Sequence, residues 1–267
     1  MGTREAAVAY PAPSFRRARK IVRRNLLAYK HFWIAFVSGF FEPLFYLVAV
    51  GFGVGRFVGS IPYGDIDIDY ATFLAPGMLA ASTLNASIFD GFFAPFFKLN
   101  WMKTYDGIVT TPMNISDVAL GEIMWALIRA TIYGAGFLCV MVILGLVISP
   151  WGILALPAVM LCGAALASGA MVLTGITKQI SSLEKVMTLV VFPLFLFSGT
   201  FFPVSLYPAA IRPVVQALPV YHAASLLRGL TTGQVTPAIL WHVAYLVVMA
   251  IVAGTFAARL MRRRLVS

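Results

Sequence analysis

Six apolar runs, each about as long as a bilayer is thick, constrain this chain more than any other feature. They lie at roughly 32–55, 72–95, 119–148, 152–176, 186–202 and 239–259. A helix needs about 20 apolar residues to cross the hydrocarbon core, where it must satisfy its backbone polar groups internally. The predicted fold is therefore an all-α integral membrane protein with six transmembrane helices. Composition agrees. The chain is 60% hydrophobic and only 11% charged, with a mean hydropathy of +0.89, whereas about a quarter of a soluble globular chain is charged. The fifth run is short and carries Pro193, which a membrane helix tolerates when neighbours satisfy the freed carbonyl. No clear small-residue cleavage site follows the first run, so it reads as a retained anchor and not a signal peptide.

The net charge of +10 sits at the ends of the apolar region. Arg16, Arg17, Arg19, Lys20, Arg23, Arg24 and Lys30 precede the first run, and Arg259, Arg262, Arg263 and Arg264 follow the last. Basic residues that flank apolar spans argue against a nucleic-acid partner. They follow the positive-inside bias and place both termini in the cytoplasm, in agreement with an even number of spans. The Asp65, Asp67 and Asp69 loop suits the outside, while the Lys98/Lys103 and Lys178/Lys185 loops suit the cytoplasm. The 203–238 stretch is placed outside although Arg212 and Arg228 are its only charged residues. Cys139 and Cys162 fall inside apolar runs, where free Cys behaves as a small hydrophobe.

Residues 1–31 form a leader of their own. Phe15, Ala18, Val22, Leu26 and Tyr29 recur at helical spacing, with Arg19, Lys20, Arg23 and Arg24 on the remaining surface. The expected element is a basic amphipathic helix lying in the lipid headgroup plane, its apolar stripe sunk in the acyl boundary. The alternative is a basic tail that only sets topology.

Two other stretches stand out. Residues 98–122, KLNWMKTYDGIVTTPMNISDVALGE, break at Thr111-Pro112, after which Ser116 or Asp117 can cap the next helix. They read as an ordinary loop or as a docking element for a cytoplasmic partner. Residues 198–233 carry Pro203, Pro208, Pro213 and Pro219 between apolar runs too short to span a membrane. They read as a buried hairpin or as an outer lid of short re-entrant helices, since Pro suits a first helical turn.

Two ionisable residues fall within the spans, Glu42 in the first and Arg129 in the third. Such groups are costly in lipid and face a partner or a polar cavity. Glu42 is expected to be protonated or to pair with Arg129, the alternative being a substrate-contacting or gating role. Asp90 and Glu122 are expected near the cytoplasmic interface, without special account. The Asp65–Asp69 alternation lacks the glycine and the distal glutamate of a calcium loop. His31, His222 and His242 are far apart in sequence and share no motif, so no metal site is expected. The chain contains no Gly-Lys dipeptide, which a phosphate-binding loop requires. Energised work in the membrane therefore needs an engine on another polypeptide.

At this point the residues carry a resemblance. Six spans, a basic leader, the YDGIVTTPMNISDVALGE segment and the SGTFFPVSLYP…LPVYHAASLLRGLTTG segment resemble the ABC type-2 exporter permeases. The EPLFYLVAVGFGVG run at 42–55 is most similar to the nodulation lipo-oligosaccharide and anthracycline-drug exporter permeases. The resemblance covers nearly the whole chain. It implies a permease dimer, as a homodimer or with a related chain, carrying two separate ATP-binding cassette subunits. ATP and Mg2+ are expected on those subunits, with no cofactor on this chain and no catalysis by it. Residues 98–117, with Tyr105, Asp106, Thr111 and Pro112, are implied to couple to the ATPase. Residues 203–232, with Pro203, Tyr207, Pro219 and His222, are implied to form the extracellular lid. Residues 32–259 make up the permease domain, and 260–267 a basic cytoplasmic tail. The expected setting is a bacterial plasma membrane, and the expected cargo a lipid-linked glycan, a lipid or a hydrophobic compound. An ion-coupled secondary transporter and an integral membrane enzyme acting on lipids or glycans are the alternatives. The first needs membrane-buried carboxylates for coupling, and the second needs convergent acid, base or metal ligands.

Overall fold

Apolar runs without internal turn signals fold as long helices here, and the Pro- and Gly-rich stretches between them fold as short ones. The computed structural model describes residues 14–29, 41–111 and 113–266. His31, residues 32–40 of the first expected span, and Pro112 lie outside them. In chain order the elements are α1 (Phe15–Tyr29), α2 (Phe41–Val58), the hairpin β1 (Ser60–Tyr63) and β2 (Ile66–Asp69), α3 (Tyr70–Asn100) and α4 (Thr104–Val109). There follow α5 (Ile115–Ile143), α6 (Pro150–Ile176), α7 (181–196), α8 (Arg212–Gln216), α9 (Pro219–Thr232) and α10 (Ala238–Val266).

Among the described residues, five helices are long and apolar enough to cross a membrane: α2, α3, α5, α6 and α10. The protein is an all-α integral membrane protein. The run expected as a fifth span forms α7, which is shorter, turns more widely over Met187–Val191 just before Pro193, and ends at Leu196. The expected 98–117 helix is in fact three pieces. Residues 98–100 end α3, residues 115–117 begin α5, and only Thr104–Val109 is helical between them.

Burial grades the helices by role. In α3, 89% of the most apolar window is buried, against 17% in α2 and 11% in α10. So α3 is the central post, and α2 and α10 present their apolar sides outward. Small residues bring the helices close: a Cβ on Gly91 of α3 would lie 2.8 Å from the Ala170 Cβ and 3.0 Å from the Ala167 carbonyl of α6. In lipid, where solvent does not drive helices together, such close backbone packing does. The main core joins Leu74, Met78 and Phe92 of α3 to Phe137, Cys162 and Leu227. A second cluster, with Ile21, Leu99, Tyr105, Ile115, Met171 and Met261, gathers one end of the bundle.

The connections sort to two ends. At one, the hairpin pairs Ser60 with Asp69 and Tyr63 with Ile66, and Ile148 of the α5–α6 loop donates its N–H to the Thr231 carbonyl of α9 at 3.0 Å. The Ile-Asp alternation over 66–69 is strand spacing, with Ile68 buried and its aspartates exposed. At the other end lie α1, α4 and the end of α10, where Arg264 donates to the Thr174 carbonyl and to Asn100 Oδ1, each at 2.9 Å.

Candidate functional site

The first candidate site begins at the cap of α5. Asn114 is the N-cap, its side chain accepting from the Ser116 N–H at 3.3 Å, and Asp117 returns the bond by accepting from the Asn114 N–H at 3.1 Å. A capping box therefore starts this helix, with Asn114 in the place expected of Ser116 or Asp117. The other oxygen of Asp117 accepts the Ser14 N–H at 2.7 Å, and Arg17 pairs with the same carboxylate. One acid thus caps α5 and anchors α1.

Three further contacts run along the pair. A Cβ on Gly121 would lie 2.6 Å from the Ile21 Cβ and 2.8 Å from the Ala18 carbonyl, so α1 crosses α5 at a position only glycine leaves open. One helical step on, fully buried Glu122 accepts from Asn25 at 2.8 Å, from Lys98 Nζ at 2.8 and 2.9 Å, and from the Tyr105 hydroxyl at 3.0 Å. Beyond it Arg129 pairs with Asp90 at 2.8 Å and donates to the Tyr29 and Tyr133 hydroxyls, both at 2.9 Å. Asp90 also accepts from Tyr29 at 2.8 Å and Trp125 Nε1 at 3.1 Å. Arg17, Ile21, Asn25 and Tyr29 of α1 are spaced by four, so one polar-and-small stripe of α1 meets α5.

This stripe corrects the expected one. Ala18 and Ile21 are buried against α5, and Tyr29 enters the Asp90 network, while Phe15 and Leu26 are 71% and 60% exposed. The leader therefore has a docked face and a separate apolar face, with Arg19, Lys20, Arg23 and Arg24 exposed. Arg129 takes Asp90 as its carboxylate, not Glu42. Glu42 is exposed and accepts one long bond, at 3.4 Å, from Asn85 Nδ2. Asp90 and Glu122, expected only near the cytoplasmic interface, are the acids that hold the site together. Asp90 sits in a widened turn over Phe89–Phe93, and the Thr174 hydroxyl donates to the Gly91 and Phe92 carbonyls there at 2.9 and 3.1 Å. Such turns cluster at functional places, and no periodicity in the sequence announces this one.

From this buried frame α4 projects. Tyr105 is fully buried, and burial, then Glu122, pushes its hydroxyl well above the ordinary value. Asp106, Gly107, Thr110 and Thr111 are exposed, and a Cβ on Gly107 would meet nothing within 4 Å. Of the expected coupling residues, then, Asp106 and Thr111 face out and Tyr105 faces in.

The second candidate site lies at the opposite end. Pro203 precedes a short turn at Val204–Leu206, Tyr207 is half-buried, and Pro219 opens α9. Val215 and Leu226 are buried, whereas Ile211 is 42% exposed. His222 meets His242 of α10, Nδ1 to Nδ1 at 2.8 Å, and stacks on Tyr245 at 3.8 Å. Two histidines with no common motif are thus brought together by the packing of α9 on α10. Burial first, and His242 second, pushes His222 down to about 4.

A helical membrane protein with a docked amphipathic leader, a short projecting helix at one end and a cap of short helices at the other has the build of a transporter permease. The comparisons agree. The chain matches the ABC-2 type transporter family over residues 17–232 and belongs to that family, the membrane component of ABC exporters. It is 34% identical over 246 residues to nodulation protein J of Rhizobium meliloti (strain 1021), covering 91% of this chain and 92% of the relative. It is 33% identical to nodulation protein J of Rhizobium leguminosarum bv. trifolii over the same shares. Against nodulation protein J of Bradyrhizobium diazoefficiens it is 30% identical over 244 residues. It is a multi-pass membrane transport subunit.

Proposed function

We propose that this chain is the permease of an ATP-driven exporter in a bacterial plasma membrane, working as a dimer with two separate ATP-binding cassette subunits that hold ATP and Mg2+. The observation that carries the reading is α4. It is short, exposed at Asp106, Gly107, Thr110 and Thr111, and rooted through Tyr105 in the Glu122 network that also grips α1. A push on α4 is therefore felt by α1, α3 and α5 together. Both termini and α4 lie on the cytoplasmic side. The hairpin, α8 and α9 lie outside, and α7 serves as the short fifth of six spans. The 203–232 segment is the outer lid.

The cargo is an amphipathic molecule: a lipid-linked glycan, a lipid or a hydrophobic compound. Phe41, Phe45, Tyr46 and Phe52 leave α2 with an exposed aromatic side, and Tyr46 meets Phe195 of α7 at 5.8 Å. Opposed across a dimer, two such sides make a path that accepts acyl chains and stacks on sugar faces. A proton- or ion-coupled mechanism is disfavoured because the buried acids Asp90, Asp117 and Glu122 each already have a cation, and Glu42, the coupling candidate in the first span, is exposed and not buried. The test is to purify the chain with the ATPase encoded beside it and measure ATP hydrolysis with and without the permease. A stable complex whose hydrolysis depends on the permease is expected. No association, together with ion-gradient-driven transport by the permease alone, would sink the reading.

A further inference from the structure

The lid end holds a cavity of about 360 Å3 to which the export reading gives no task. Tyr63 of the hairpin, Tyr221 and Ser225 of α9, Gln234 in the turn that follows and His242 of α10 line it together with Arg228. Arg228 is only 5% exposed. Its Nε donates to the Phe73 carbonyl at 3.0 Å, and its Nη2 to the Gly199 and Thr200 carbonyls at 3.0 and 3.4 Å. The guanidinium also lies 3.9 Å from the centroid of the Phe73 ring. These contacts set the plane of the group and occupy Nε and Nη2. Nη1 has no hydrogen-bond acceptor among the described residues. No Asp or Glu lines the cavity.

A cation held this deeply without an acid is costly unless something else supplies the negative charge. Carbonyl dipoles and a ring face supply part of it. A guanidinium fixed in plane with one edge spare is also the group best suited to grip an oxyanion. The hydroxyls of Tyr63, Tyr221 and Ser225 and the Gln234 amide add neutral donors around it. We propose that this cavity is an anion-binding site for a phosphate or sulfate group, held by Arg228 and presented at the outer mouth of the permease. The group comes either from a free anion or from a lipid headgroup. Its placement outside rests on the topology proposed above, whereas binding itself does not, so either can fail alone.

The full-length permease in a neutral detergent is titrated calorimetrically with sodium sulfate, at ionic strength held constant with sodium chloride. A parallel titration uses dihexanoylphosphatidylglycerol below its critical micelle concentration. Saturable sulfate binding is expected, weakened at least tenfold in Arg228→Gln. Gln234→Glu, nearly isosteric and set at the cavity wall, places a carboxylate where the anion would sit and is expected to weaken it as much. If Arg228→Gln fails to give a monodisperse protein, Gln234→Glu alone decides. Tighter binding of the lipid than of sulfate identifies a headgroup as the source, and equal or weaker binding identifies a free anion. No saturable binding of either probe, or equal binding by wild type and Gln234→Glu, overturns the proposal.

Discussion

Arg129 and Arg228 are both buried arginines on helices, yet they are satisfied differently. Arg129 faces a carboxylate, that of Asp90, at 2.8 Å, while Arg228 faces carbonyls and an aromatic ring. Removing one partner of a buried pair leaves the other charge stranded, at a cost of about 3–5 kcal/mol. Arg129→Ala should therefore lower the thermal midpoint in detergent more than Asp90→Asn, because the amide still accepts from Tyr29 and Trp125. Equal shifts would mean that the hydrogen bonds kept by the amide contribute nothing beyond the lost charge pair. Tyr105 gives a smaller test at the same scale. Tyr105→Phe deletes one hydrogen bond to Glu122 and should cost about 1 kcal/mol, with the Lys98 pair kept. Asp90 could not have been ranked above Glu42 from composition or spacing. Both are single acids in apolar runs, and only the contact between α3 and α5 tells them apart.

Between elements, the docking of α1 on α5 depends on the missing side chain at Gly121. Gly121→Leu should drive α1 off its seat and speed tryptic cleavage at the leader's already exposed arginines by letting the helix open, with helix content nearly unchanged in far-ultraviolet dichroism. An unaltered cleavage rate would show that α1 is not held there. The exposed face of α4 offers a separate test of coupling. Asp106→Arg should abolish co-purification with the ATPase or uncouple hydrolysis from export, without moving the thermal midpoint by more than the scatter of a surface substitution, about 0.5 kcal/mol. Unchanged assembly and export would remove α4 from the coupling role. The contact between α9 and α10 should respond to acid. His222 is pushed down to about 4 in the folded protein, from an ordinary value near 6.5, so the unfolded chain binds its proton first as pH falls. The stability this histidine contributes is complete above about pH 6.5 and is lost progressively as pH falls toward 4. The thermal midpoint in detergent should therefore fall between pH 7.5 and pH 5, and His222→Gln should reduce that fall.

At the scale of the whole molecule, sidedness is the property on which the export reading stands. With Cys139 and Cys162 replaced, single cysteines at exposed Ser60 and Thr236 should react with an impermeant maleimide added to intact cells, and one at exposed Thr110 should react only after lysis. Labelling of Thr110 from outside would invert the topology. The helical membrane class, the leader and the breaks around α4 and α9 were legible in the sequence because each rests on a local rule. Hydropathy over about 20 residues marks a span, and period-3.6 patterning marks the leader. The 66–69 strand was not legible: Asp65–Asp69 reads as an outside loop, and only the pairing of Ser60 with Asp69 shows that its Ile-Asp alternation is strand spacing. What the chain by itself determined is therefore where its apolar segments lie and where they break, since both follow from the free energy of residues near one another in sequence; the run expected as a fifth span folds as the shorter α7. Which acid meets Arg129, which stripe of α1 faces protein, and that His222 meets His242 across 20 residues were decided only by the tertiary structure. Those outcomes depend on helix rotation and depth, which close packing at positions such as Gly91 and Gly121 sets and which hydropathy does not encode.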